Sequence, residues 1–406
     1  MRFCLFLLAM LTMGFAACDL DPIEPDDDDD PALETDTLDV LGHGVVQERF
    51  SAEVAARDQW AYTSTWSSRA GTPGNAIKIW NIADSTPQLV DSLIVESAGT
   101  LGDLQISDDG ALLVAATEGG LTGSIVIFDR AANPARPVRL ARHVSDATRI
   151  AGVHTVKLGR VNGRHYAFLS VNPSPPRLVV VDITDPAAPV EVLARTVDGR
   201  PFIHDVFVRD GLLFTALWNA GVTIWDIGGA GRAGASPANP IQIGNVQTVN
   251  GSVHNIWWYH APDGSKRYAF VGEEGPANLG ASSRGDIHVV DVSDMTQPRE
   301  VAFFTVPNAG THNFVMDEEA GVLYAAYYNG GVRALDVTGD LSQCDDDERG
   351  SNDRCNLGLM GRQVGVGLQN MGAVSVWGVA KVGDVIYASD MLSGLYALDA
   401  SQLRAR

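Results

Sequence analysis

The stretch Ile203–Ile227 reads IHDVFV, Arg209-Asp210-Gly211, LLFTALW, Asn219-Ala220-Gly221, VTIWDI: three apolar runs joined by two short polar turns. A fourth extended run, PIQIGNVQT (Pro240–Thr248), follows a bend rich in glycine and proline. Runs of six to nine residues, rich in Val, Ile, Phe, Trp and Thr and bounded by Gly, Asp, Asn or Pro, read as strands with their turns. Four strands joined by tight turns make one antiparallel blade.

The third run recurs along the whole chain. It appears as IKIWN ending at Asn81, IVIFD at Asp129, LVVVD at Asp182, VTIWD at Asp226, IHVVD at Asp291, VRALD at Asp336 and LYALD at Asp399. Intervals of 44 to 65 residues between copies are the signature of a repeat architecture. The matching first strands begin near Ala52, Gly102, His154, His204, His254, His312 and Trp377. The seventh unit ends after its third strand, and GVVQERF (Gly44–Phe50) is expected to supply the fourth. The expected fold is therefore all-β: a seven-bladed β-propeller of four-stranded antiparallel blades over residues 40–406, closed by an N-terminal strand that completes the C-terminal blade. The repeats contain no convincing amphipathic helix of ten or more residues, which disfavours an α/β barrel.

The acid ending each third strand has a local task. Its carboxylate can accept backbone N–H groups of the next turn, and in Asp182-Ile183-Thr184-Asp185-Pro186 the proline stops the strand. These acids are expected to be structural. The run Leu178–Asp182, with Ile183-Thr184-Asp185-Pro186 and Pro189, resembles the LVIVD-repeat family of bacterial envelope propellers. The resemblance extends in weaker form over residues 44–400, and is poorest in units 1 and 7, where Asn81 replaces the acid and Asp399 lacks the Thr-Asp-Pro tail. It implies a β-propeller on secreted or anchored proteins, with no general activity.

The N-terminus reads as a processing segment. Arg2, the short apolar run Leu5–Met13 and Gly14-Phe15-Ala16-Ala17-Cys18 resemble a bacterial lipoprotein signal, with residues 1–17 removed and lipid placed on Cys18. The apolar run is far short of the ~20 residues needed to span a bilayer. Residues 19–39 hold eleven Asp or Glu and no Lys or Arg; without them the formal charge of −21 becomes −10. Self-repulsion keeps such a segment extended, so residues 18–39 read as a lipidated cysteine with an acidic tether reaching up to ~70 Å. The expected location is the bacterial cell envelope, with the membrane as a partner through Cys18. No basic stripe marks a nucleic-acid surface.

Cys344 and Cys355 bracket DDDERGSNDR in an insert at about 338–358, and in an oxidising compartment they are expected to pair. Calcium is the alternative for the 345–356 loop, because Asp345, Asp347, Gly350 and Asp353 partly imitate an EF-hand. Arg349 and Asn356, however, stand where that loop needs oxygen donors and a bidentate acid.

Several motifs carry nothing. Gly229–Gly234 fits GxGxxG, but Pro237 and Pro240 exclude the helix that a phosphate site requires. Arg284-Gly285-Asp286 is too short a match to weigh, and GxSxG, HExxH and CxxC are absent. The pattern with chemical potential is histidine: His154, His204, His254 and His312 occupy one slot at the start of the first strand in four consecutive units. First strands line the central channel, so the imidazoles are placed to converge near its mouth, where a transition metal such as Zn, Fe, Cu or Ni would suit them. The alternative is packing. At period two, His204 shares a face with Val206 and Val208, and His254 with Ile256 and Trp258, so each histidine would finish an apolar row by bonding a nearby turn. Long connections at Ser67–Asn75, Asn172–Arg177 and Gly272–Asp286, the last carrying Glu273, Glu274 and Arg284, give a second surface for an unknown protein or small-molecule ligand. The expected function is a lipid-anchored binding module. The alternative is a metal-dependent enzyme at the histidine-lined mouth.

Overall fold

Each of the seven acid-terminated runs is the third strand of a four-stranded antiparallel path in the computed structural model, which describes residues 37–403 except 85, 121, 173–175 and 200. The expected signal segment 1–17, Cys18 as the expected lipid site and nearly all of the expected acidic tether lie outside the described residues. Seven such sheets stand in a ring, a seven-bladed β-propeller, and no α-helix occurs among the described residues. Blade 4 is typical: Asp205–Arg209, Leu212–Ala216, Val222–Asp226 and Ile241–Val246 pair in order, each with its sequence neighbour. In blade 2 the first strand shortens to Leu104–Ile106, and Ala98–Thr100 pairs with the extended second strand, Leu112–Gly120.

Apolar side chains on the blade faces meet those of the next blade, giving seven inter-blade cores. The core between blades 3 and 4 holds Phe168, Val180, Leu213 and Trp225; that between blades 7 and 1 holds Leu395, Ala397, Ala61 and Trp80. Each fully buried leucine or phenylalanine contributes on the order of 2 kcal/mol through area removed from water. The seventh interface makes the ring one cooperative object.

Closure uses a different segment from the one expected. Val40–Val45, not Gly44–Phe50, pairs antiparallel with Gly394–Asp399, from Val40 opposite Leu398 to Val45 opposite Gly394, with a register shift between Val40 and Gly42. Phe50 instead opens the first strand of blade 1, Phe50–Arg57. Gly44 explains the register: a Cβ there would fall 2.3 Å from the Trp80 ring, so only glycine lets the closing strand pass over blade 1. His43 stacks on Tyr396 at 3.9 Å, and just upstream Leu38 is buried between blades 6 and 7.

The acids ending the third strands cap their turns in all seven blades. Asp226 Oδ1 accepts the N–H groups of Gly228, Gly229 and Ala230 at 2.7–3.0 Å, and Asn81 does the same for Ala83 at 3.0 Å. The remaining five acids receive Ala132, Thr184, Ser293, Thr338 and Ser401. The insert leaves blade 6 after Asp336 and is closed by the Cys344–Cys355 disulfide. Its residues Cys355–Asn356 add in parallel to Arg299–Phe304, the outer strand of blade 5. Arg349 donates to the carbonyls of Cys344 and Asp353, so a side-chain cation already sits inside the loop weighed for calcium.

Candidate ligand site at the channel mouth

The first strands do not keep strict alternation where the histidines stand. Register irregularities fall at Val153/Thr155, Val253/Asn255, Val376/Gly378 and Ser51/Val54, at the same level in four blades. In blades 4 and 6 the histidine precedes the regular strand, with His204 N–H donating to Ala216 O and His312 N–H to Ala326 O, both at 2.8 Å. A bulge re-aims the residue it contains. The histidines consequently leave the apolar row that period two assigns them and turn toward the channel. Ring centroids of His154–His204, His204–His254, His254–His312 and His312–Trp377 lie 4.4, 4.2, 4.0 and 4.2 Å apart.

A second repeated position interleaves with the first. Two residues beyond the partner of each residue that follows the slot stand Trp66, Glu118, Asn172, Trp218, Glu274, Tyr328 and Met391, at the ends of the second strands. Five of these side chains, Trp66, Glu118, Trp218, Glu274 and Tyr328, meet the imidazoles. Glu118 faces His154 Nδ1 at 3.0 and 3.1 Å; Trp218 stacks on His204 at 5.1 Å; Tyr328 packs edge-on to His312 at 5.1 Å. Glu274 Oε2 lies 3.5 Å from His204 Nε2 and 3.7 Å from His254 Nε2, while its other oxygen accepts the Tyr328 hydroxyl. His154 Nε2 and His204 Nε2 are 3.0 Å apart. Gly102 takes the histidine slot in blade 2; a Cβ there would lie 2.9 Å from His154 O and 3.1 Å from Glu118 Oε1. The glycine thus makes room for the Glu118–His154 pair.

Burial sets the charge of each ring. It drives His204 and His254 well below the ordinary imidazole value, with neighbouring imidazoles adding to the effect. His312 is pushed down to about 3 by burial, against the Nδ1–H it donates to Trp377 O at 2.7 Å. Burial also acts against a charged His154, but the Glu118 carboxylate outweighs it and holds that ring above its ordinary value. Among the described residues, His204 Nδ1 and both nitrogens of His254 have no hydrogen-bond partner.

One residue further along the first strands, Glu53, Asp103 and Asp205 form an acidic level. Burial raises all three, Glu53 to about 8 and Asp103 to about 7, with repulsion from neighbouring acids adding for those two and Lys157 opposing it for Asp205. They also staple blades together: Asp103 accepts Val156 N–H from the next blade at 2.8 Å, and Glu53 accepts the Asn313 amide. Histidines and acids share one cavity of about 200 Å³, and Lys157 is the one Lys or Arg among the described residues that line it.

Comparison with known proteins agrees with this geometry in one segment and in the fold. A family model for the LVIVD repeat matches residues 166–196, the second to fourth strands of blade 3. Residues 166–196 are an LVIVD repeat. No curated protein matches the chain in sequence. Among solved structures, the Cps50 (Swd1) β-propeller domain of Myceliophteria thermophila is similar at TM-score 0.60 and 11% identity, covering 89% of this chain and 99% of that one. The computationally designed Ika8 protein (TM-score 0.53, 9% identity, 89% and 99% covered) and Sqt1 of Saccharomyces cerevisiae (0.53, 10%, 91% and 87%) are similar too. At these identities the likeness shows the fold alone.

Of the four histidines singled out in the sequence, the structure brings all into one row. Glu274, noted there only as a loop acid, joins them; Glu118, Trp66 and Trp218 were not singled out. The signal that finds them is positional. Once the LVIVD-type blade fixes which residues of strands one and two are partners, a second equivalent position follows in every blade.

Proposed function

We propose that this chain is an envelope-tethered propeller whose binding surface is the channel mouth and whose ligand is a small polar or cationic species. The propeller is a scaffold for binding, and function resides in what its rim and channel carry. The observation that carries the reading is the convergence of three buried imidazoles, the partly buried His154 and Glu274 on one cavity edged by Trp66 and Trp377. Single partnerless ring nitrogens also occur at His43, His143, His260 and His288, but among the described residues His254 is the histidine with both, and each such polar group costs about 1–3 kcal/mol. Tethering is supported by the lipoprotein-like Gly14–Cys18 segment, the acidic stretch after it and a disulfide-bonded domain suited to an oxidising compartment.

The mouth is tested by intrinsic fluorescence of the tryptophans around it during titration with small polar compounds and metal ions. A saturable response lost in Trp218→Phe or His204→Ala, but kept in the distant Ser293→Ala, is expected. Responses indifferent to the mouth variants would reject the assignment. The tether is tested by fractionation: the intact chain is expected with membranes and Cys18→Ser in the soluble fraction, whereas identical partition would remove the anchor. A metal-dependent reaction is the second reading, favoured by the Glu274 contact with two imidazoles.

A further inference from the structure

Resting on the reading of the mouth as a binding site, we propose that it holds one divalent first-row transition metal on His204, His254 and Glu274, with His154 as a fourth donor. Nε2 of His204 and of His254 and Oε2 of Glu274 all lie within 4.8 Å of one another. His154 Nε2 stands 3.0 Å from His204 Nε2, a separation that two nitrogens on one ion at about 2.0–2.1 Å reach easily. Two imidazoles and one carboxylate suit zinc, iron, cobalt, nickel or copper rather than calcium or magnesium, which take oxygen donors.

Three observations favour an ion over a self-contained hydrogen-bond network. The first is unmet demand. His254 is 2% exposed and, among the described residues, neither ring nitrogen has a hydrogen-bond partner, although a neutral imidazole always carries one donor and one acceptor. The second is support behind the donors. Glu118 faces His154 Nδ1, and Tyr328 donates to the Glu274 oxygen turned away from the imidazoles. Outer contacts of this kind fix ligand orientation in metal sites. The third is the acid around the ring nitrogens. Glu118 and Glu274 flank the imidazoles, and Glu53, Asp103 and Asp205 line the same cavity. Burial favours the neutral form of the last three, and a cation beside them would favour the carboxylates, so the acid side chains compensate an ion as it enters.

His312 plays a different part. Its Nδ1–H is committed to Trp377 O, and its ring packs at 4.0 Å from His254, walling the site on the side of blade 7. Three or four protein donors leave a first-row metal able to accept a further small ligand from the channel mouth, and this defines the ligand class of the proposed binding surface.

The test uses the whole mature domain, stripped with chelator and titrated with Co(II), whose absorption reports nitrogen and oxygen donors. One equivalent is expected to bind and to raise the melting temperature. Affinity is expected to fall at least 100-fold in His204→Ala/His254→Ala and about tenfold in the near-isosteric Glu274→Gln, and to be unchanged in the distant Ser293→Ala. Glu274→Gln keeps the proposal testable should the double variant fail to fold. A folded wild-type protein that takes up no Co(II), or takes it up equally in Glu274→Gln and His254→Ala, overturns the metal site. Fluorescence titration separates the two ideas: mouth-dependent binding of a metal-free small ligand without Co(II) uptake sinks the metal and leaves the binding surface. Loss of both sinks both.

Discussion

Two groups of buried histidine in this molecule solve the same electrostatic problem in opposite ways. His288, in the third strand of blade 5, has a carboxylate on each side: Nδ1 meets Glu300 Oε1 at 2.8 Å and Nε2 faces Glu273 Oε2 at 3.4 Å. Burial alone would depress it, but those carboxylates lift it to about 9, so it is held as a cation. Arg354 adds a second positive charge against Glu300. At the channel mouth, His204 and His254 have neutral rings and unmet nitrogens beside one shared carboxylate. Burial is nearly the same in both groups. The difference lies in how much compensating charge the fold supplies, and it separates a histidine that ties three strands of blade 5 together from the histidines proposed to take a ligand.

The largest expected effect breaks this contrast directly. His288→Ala leaves Glu273 and Glu300 buried without their central cation and should cost about 3–5 kcal/mol. His254→Ala removes a ring that makes no hydrogen bond and should cost about 1–2 kcal/mol for lost packing. Denaturant unfolding of the two variants measures the gap, and equal losses would erase the distinction.

The pH dependence comes next. The folded-state value of His288 lies above its unfolded value near 6.5, so its contribution is complete below that pH. It is lost as pH rises toward about 9, a change on the order of 3 kcal/mol. Chemical unfolding at pH 6, 7.5 and 9 should show this decline in the wild type and a flatter profile in His288→Gln. A wild type indifferent to pH in that window would refute the charged state.

Opening the disulfide sharpens the comparison. Cys344→Ser/Cys355→Ser removes a short covalent loop, at a cost of about 3 kcal/mol from chain entropy. Because Arg354 adjoins Cys355, the loss should be non-additive with Glu300→Gln in a double-mutant cycle. Metal uptake at the mouth should not change. The smallest effect lies in the turns: Asp226→Asn weakens a carboxylate that accepts several backbone N–H groups and should cost about 1–2 kcal/mol, read as a lowered melting temperature. Both histidine groups should remain intact in that variant.

The architecture was legible because its signal is local and repeated. A run such as Leu178–Asp182 announces strand, turn and period together, and seven copies leave little freedom for another fold. The closing strand was misplaced because Val45-Val46 looks more strand-like than Val40-Leu41-Gly42. What selects the latter is the Trp80 ring, which tolerates only Gly44 beneath it. At the mouth, the recurring slot revealed His154, His204, His254 and His312, but period two sent them into an apolar row. The bulges that reverse this depend on pairing with the second strand, which no single strand encodes. Glu118 and Glu274 were obscured for the same reason: they lie 156 residues apart in sequence, and Glu118 meets His154, and Glu274 meets His204, across a blade boundary.

The clasp that joins Val40–Val45 to Gly394–Asp399 has a mechanical corollary. Any pull on the N-terminal chain reaches first the bonds of Thr37 and Leu38 to Val366, and then the ladder opposite residues 394–399. Load along the leader therefore falls on the single junction that turns a curved row of sheets into a circle. The force that peels this ladder, measured by pulling on the first described residues, is the force at which the whole wheel comes undone.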